Sequence, residues 1–210
     1  MSYERQQRME AAKERSGSLA ESEMIGSIDT ADPEYRRAAE QWYGVNRDLV
    51  QKFHEGRLSE RERGALFSGA WRLVENLPEY RLHPERATNP ESPLLRDLRI
   101  ALADRLEFVS EPDLDRIKAF TAVGTPIDKH LGIDFFLRID PKDRSRLPIH
   151  ISGDYTIESS KVRTRADVLV KQLPNPDLDD EAYVAEVDRT ADDFVLQYRR
   201  QLMRTERTRR

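Results

Sequence analysis

The chain has 210 residues, 38% of them hydrophobic and 35% charged, with a formal net charge of −4 and no cysteine. That length suits one domain of ordinary size with an extension, and the missing cysteines exclude disulfides, thiolate metal sites and cysteine nucleophiles together. No apolar run approaches the ~20 residues of a membrane span, and MSYERQQRMEAAKER has no apolar stretch of the secretory kind, so a soluble, cytoplasmic protein is expected, with no membrane partner.

Residues 1–28 are polar, carry charges of both signs and show no continuous apolar stripe, which predicts a flexible arm. Asp32-Pro33-Glu34 is a helix start: a capping carboxylate, a proline that needs no N–H, and an acid at the positive end of the dipole. Tyr35, Ala38, Ala39, Trp42, Leu49 and Phe53 follow at helical spacing, with Gly44 as a break in the middle and Gly56 as a stop. Ser59-Glu60-Arg61-Glu62 is a capping box, and Leu66, Phe67, Ala70, Trp71, Val74 and Leu77 make one face. Residues 32–78 therefore read as a helical extension whose two tryptophans pack its helices together. The prolines between Pro78 and Pro93 mark a linker. A third helix opens at Ser92-Pro93 and carries Leu94, Leu95, Leu98, Leu102 and Leu106 toward a stop near Pro112.

The periodicity then changes. Ile117 to Val123, Ile133 to Ile139, Ile149 to Ile157 and Ala166 to Val170 are short β-branched and aromatic runs between turn residues. The second and third are too close for a crossover helix and should form an antiparallel hairpin. A last helix follows Pro176, with Val184, Val187, Ala191, Phe194, Val195, Tyr198 and Leu202 as its buried stripe. Its acidic start and basic end complement the helix dipole. The fold class is α+β: N-terminal helices, then a small, mainly antiparallel four-stranded sheet, then a closing C-terminal helix, with residues 93–204 as the α+β domain.

Chemistry is concentrated in the sheet. In the second run Ile133, Phe135, Leu137 and Ile139 share one face, while Asp134, Phe136 and Arg138 share the other. In the third, His150, Ser152, Asp154 and Thr156 point one way, and Gly153 allows a bulge or a close approach. A suitable register brings Asp134 and Asp154 together, an arrangement that suits a hard divalent cation. Isolated aspartates in a polar-faced strand or beside a turn are also ordinary structural residues. His150, between isoleucines, reads as a satisfied strand histidine. His54, His83 and His130 lack zinc-site spacing, and phosphate-loop and hydrolase motifs are missing from a chain with nine glycines.

Asp134 on the second strand and Asp154 on the third, after a leading helix and within a β-meander, resemble the PD-(D/E)XK nuclease superfamily over roughly residues 93–172. The resemblance implies that Asp134 and Asp154 are catalytic and hold Mg²⁺ or Mn²⁺. Thr156 stands at the family's lysine position, and Lys161 is the candidate for a migrated catalytic lysine that stabilises the attacking hydroxide and the charged transition state. The helix that the family carries between its third and fourth strands is not evident in the polar stretch Ser159 to Arg165. Lys129, His130, Arg163 and Arg165 would bind substrate, with Glu107 as a further candidate ligand. The expected function is metal-dependent cleavage of nucleic acid. The alternative is a non-catalytic interaction or structural module with a degenerate nuclease-like sheet. Nucleic acid, a protein partner and a second copy of the chain are the partners these features suggest, the basic C-terminal end being either a phosphate contact or a solvated helix end.

Overall fold

A computed structural model of the protein describes residues 21–143, 145–156 and 164–209, with backbone alone at 206–209. Nine helices and four strands follow one another among these residues: α1 Glu21–Ile25, α2 Pro33–His54, α3 Glu60–Glu75, α4 Pro78–Leu82, α5 Glu85–Thr88, α6 Pro93–Arg105, α7 Glu111–Leu114, β1 Ile117–Thr121, α8 Pro126–Leu131, β2 Phe135–Ile139, β3 Ile149–Thr156, β4 Val168–Lys171 and α9 Asp180–Arg209. No helix among the described residues is long and apolar enough to cross a membrane.

The starts of the two long N-terminal helices follow the local chemistry. Asp32 accepts hydrogen bonds from the Glu34 and Tyr35 amides at 2.6 and 2.9 Å, with Pro33 at the first position of α2. Ser59 and Glu62 close a reciprocal capping box on α3. Gly44 does not break α2, because it faces open space where nothing depends on its missing side chain. Its cost is confined to helix propensity.

The sheet has the order β1-β2-β3-β4; β1–β2 and β2–β3 are antiparallel and β3–β4 is parallel. The expected hairpin is therefore present, and the one parallel ladder makes the sheet mixed. Phe135, Leu137 and Ile139 of β2 and Ile149, Ile151 and Tyr155 of β3 face one core with α6 and α9. Phe120 and Phe136 face the other, with α2 and α3. Helices thus cover both sides of the sheet, and each side buries its own apolar cluster.

This arrangement corrects several expectations. The arm gives way at Glu21: Met24 and Ile25 are fully buried in the α6/α9-side core. Ile28 donates its amide to the Val123 carbonyl at 3.1 Å. Residues 1–20 lie outside the described residues. The 32–78 segment is one of the sheet's two helical layers, since Trp71 packs on Phe136 with ring centroids 4.6 Å apart. The 78–93 linker holds α4 and α5, and the buried Tyr80 hydroxyl accepts the Thr121 amide at 2.9 Å. Pro78 and Pro93 are helix starters here, at the first turns of α4 and α6. Ile133 joins the α2/α3-side core with Phe136 because β2 begins only at Phe135. On α9, Phe194 is fully buried as expected, with its ring 5.8 Å from Phe135, but Val184 is half exposed. The acidic stretch of α9 also has cross-helix partners, with Arg105 of α6 reaching Asp188 at 3.1 Å and Asp192 at 2.6 Å.

Candidate functional site

The strand register carries the two aspartates toward each other. Phe135 pairs with Gly153 as the last pair of the β2–β3 ladder, so Asp134 and Asp154 each adjoin that pair on neighbouring strands. Beyond it the Ala122 amide donates to the Asp134 carbonyl at 2.7 Å, in step with β1, while the Asp134 amide donates to the Gly153 carbonyl at 3.0 Å, one residue out of step with the β2–β3 ladder. Gly153 is required at this crossing. A Cβ there would lie 2.2 Å from the Phe135 ring, so the ring crosses the strand only where a side chain is missing.

Both carboxylates are buried, at 6% and 4% exposure. One oxygen of Asp134 accepts the Tyr155 amide at 2.6 Å. One oxygen of Asp154 accepts the Thr164 hydroxyl at 2.6 Å. Burial, followed by the charges of Glu21 and Asp154, pushes the Asp134 carboxyl up to about 8; the Tyr155 amide opposes this and Asp128 adds to it. Like charges gathered where water is scarce favour either a proton or a cation.

Glu21 is the functional candidate that the sequence pattern did not reveal. It is the strongest charged influence on Asp134 and also raises Tyr155, so α1 brings a third carboxylate to bear on the pair. Asp128 sits on α8, where its carboxylate accepts the Gly124 amide at 2.8 Å; burial and Asp154 raise it above its ordinary value. The helix itself has a local cause. Thr125 caps it, Pro126 starts it, and Gly132, at φ 66°, ends it in the left-handed conformation.

Among the described residues, no group of three or more histidine, aspartate or glutamate side chains is arranged to hold a metal ion. The carboxylates at hand include those of Asp134 and Asp154. Two hard carboxylates fit Mg²⁺ or Mn²⁺, which bind through one or two such groups and take their remaining oxygens from water and substrate phosphates.

The other predicted residues divide. Lys129 and His130 follow Asp128 on α8. Arg165 follows Thr164, the hydroxyl donor to Asp154. Lys161 and Arg163 lie outside the described residues. Glu107 does not join the site: it follows the end of α6, and its carbonyl accepts Lys142 beyond the far end of β2. Thr156, at the lysine position, is buried in β3. His150 is a satisfied strand histidine, with Nε2 2.8 Å from Glu75 and its ring stacked on Trp71 at 5.8 Å. Burial alone would raise Glu75, but His150 and Arg138 hold it below its ordinary value. Ser152 is likewise engaged, its amide and hydroxyl both donating to Asp167.

A cavity of about 420 Å³ between residues 27–35 and 77–86 shares no residue with this site. A scan against protein-family models and searches of curated proteins and of solved structures give no match to this chain.

Proposed function

We propose that the protein is a metal-dependent, nuclease-like enzyme that cleaves phosphodiester bonds in nucleic acid. The observation that carries this reading is the nearness of Asp134 and Asp154, both buried and each adjoining the Phe135–Gly153 pair, with the Asp154 charge acting on Asp134. A leading helix (α6), a three-stranded meander and a fourth strand parallel to the third are also in keeping with the PD-(D/E)XK resemblance. Asp134 and Asp154 would hold Mg²⁺ or Mn²⁺, which supplies Lewis-acid stabilisation of charge on the phosphate. Asp134 would serve as a carboxylate ligand, oriented by its hydrogen bond from the Tyr155 amide. Lys161 remains the proposed cationic group for the transition state.

The expected result with purified protein is Mn²⁺-dependent cleavage of nucleic acid that Asp134→Asn and Asp154→Asn each abolish. Lys161→Ala should slow cleavage without weakening metal binding, because the amine acts on the phosphate. Gel assays on single- and double-stranded DNA and RNA give the readout. Cleavage that survives both aspartate substitutions would overturn the assignment. A second reading, a non-catalytic interaction module, draws on the buried Thr156 at the lysine position; parent protein that cleaves none of these substrates would favour it.

A further inference from the structure

Several arginines among the described residues are neutralised. Arg81, Arg86, Arg105, Arg116, Arg138 and Arg189 each pair with a carboxylate. Arg165 differs. Among the described residues its guanidinium donates to Nδ1 of His54 at 2.8 Å and lies over the Phe53 ring at 4.9 Å. An imidazole lone pair and a phenyl face position the cation without cancelling its charge.

Three segments far apart in sequence converge here. The C-terminal end of α2 supplies Phe53 and His54, and its middle supplies Tyr43. The α8 helix supplies Lys129 and His130, and the ring of His130 stacks on Tyr43 with centroids 4.6 Å apart. The segment before β4 supplies Arg165. His54 lies close enough to His130 to disfavour its protonation, as Lys129 does, with burial the largest cause. The cluster borders the carboxylate site at two points: Thr164, next to Arg165, bonds Asp154, and Asp128, next to Lys129, raises Asp134.

We propose that His54, His130, Lys129 and Arg165, with Tyr43 beside them, form a rim that grips the phosphodiester backbone of single-stranded nucleic acid next to the Asp134–Asp154 pair. The location of the bond to be cut rests on the nuclease reading above; the binding itself does not. Cations interleaved with aromatic rings suit a single strand, whose phosphates pair with the charges while its bases stack. An acidic protein segment would use the charges alone. The rim also gives α2 a role in substrate capture in addition to covering the sheet.

His130 makes the grip depend on pH. The groups facing His130 are His54 and Tyr43 from α2 and Lys129 from its own helix. Those around His54 are Arg165 and His130. A bound phosphate favours the imidazolium form of His130, so affinity falls as pH rises and that imidazole loses its proton.

Fluorescence anisotropy of a labelled single-stranded oligonucleotide in EDTA tests the rim with cleavage switched off, using the full chain. The parent should bind, with affinity falling as pH rises through the range in which a histidine loses its proton and falling with salt. His130→Gln should flatten the pH dependence. Arg165→Gln should weaken binding about tenfold throughout, one charge-assisted phosphate contact being lost. Circular dichroism melts check that these surface variants fold. Unchanged binding in both variants would overturn the proposal. So would competition by poly-glutamate as effective as by unlabelled oligonucleotide, which would point to an acidic protein partner. Intact, pH-dependent binding in a protein that never cleaves would sink the nuclease reading and leave the rim standing. Cleavage whose KM is indifferent to both variants would do the reverse.

Discussion

Replacing Met24 and Ile25 together by alanine should lower the unfolding free energy by about 5 kcal/mol, as read from urea titration. Both side chains are fully buried against α6 in the core beneath α9. Truncating a buried methionine or isoleucine to alanine costs about 2–5 kcal/mol, from lost transfer energy and the cavity left behind. Because the two residues are neighbours, the double variant should fall short of a simple sum. A loss of this size is a large part of the ~5–15 kcal/mol that holds a typical domain together. A change below about 1 kcal/mol would mean that α1 is dispensable, and would also remove the reason for Glu21 to stand near Asp134.

The second large effect has the opposite sign. In metal-free buffer, Asp134→Asn should stabilise the protein, and the gain should grow with pH. Asp134 titrates at about 8 in the folded chain, against ~3.9 for a free aspartate in the unfolded one. Below about pH 4 both states are protonated and the parent keeps its full stability. Between about pH 4 and 8 the unfolded state loses its proton while the folded state retains it, so parent stability drains away as pH rises. Asparagine is neutral throughout and still offers an oxygen to the Tyr155 amide. The advantage of the variant should therefore be near zero at pH 4 and approach a plateau of up to about 5 kcal/mol above pH 8. Glu21→Gln should reproduce part of it, since the Glu21 charge is one of the causes of the raised value. Equal stabilities of parent and Asp134→Asn at pH 8 would contradict the crowding of carboxylates described above.

Much of this site is legible in the sequence, because alternation is a strong signal when both sheet faces are buried. Phe135, Leu137 and Ile139 against Phe136 settle the faces of β2, but the long connection between β2 and β3 leaves their register, and so the approach of Asp134 to Asp154, unspecified by the sequence. Ile133 misleads because alternation fails where the chain has not yet entered the ladder. The α1 helix is invisible to pattern reading: a five-residue helix with two buried residues makes no stripe, and its packing partners lie on α6 and β1. Glu21 is missed with it. His54 and His130 show no motif spacing, since their proximity comes from α2 lying across α8 and from no local rule. The prolines of 78–93 read as loop signals although Pro78 and Pro93 occupy helix starts, where proline is equally at home.

The most direct test of the central claim, that Asp134 and Asp154 together hold a divalent cation, is thermal melting at pH 8 with and without Mn²⁺. Ligand at a hundredfold excess over its dissociation constant adds about 2.7 kcal/mol to the folded state, or roughly 5–10 °C for a chain of this size. The parent should show that rise. It should shrink at pH 5.5, because the cation must then displace a proton from Asp134. Asp134→Asn and Asp154→Asn should each abolish it. No rise in the parent at pH 8, or an equal rise in the variant lacking both carboxylates, would contradict the account.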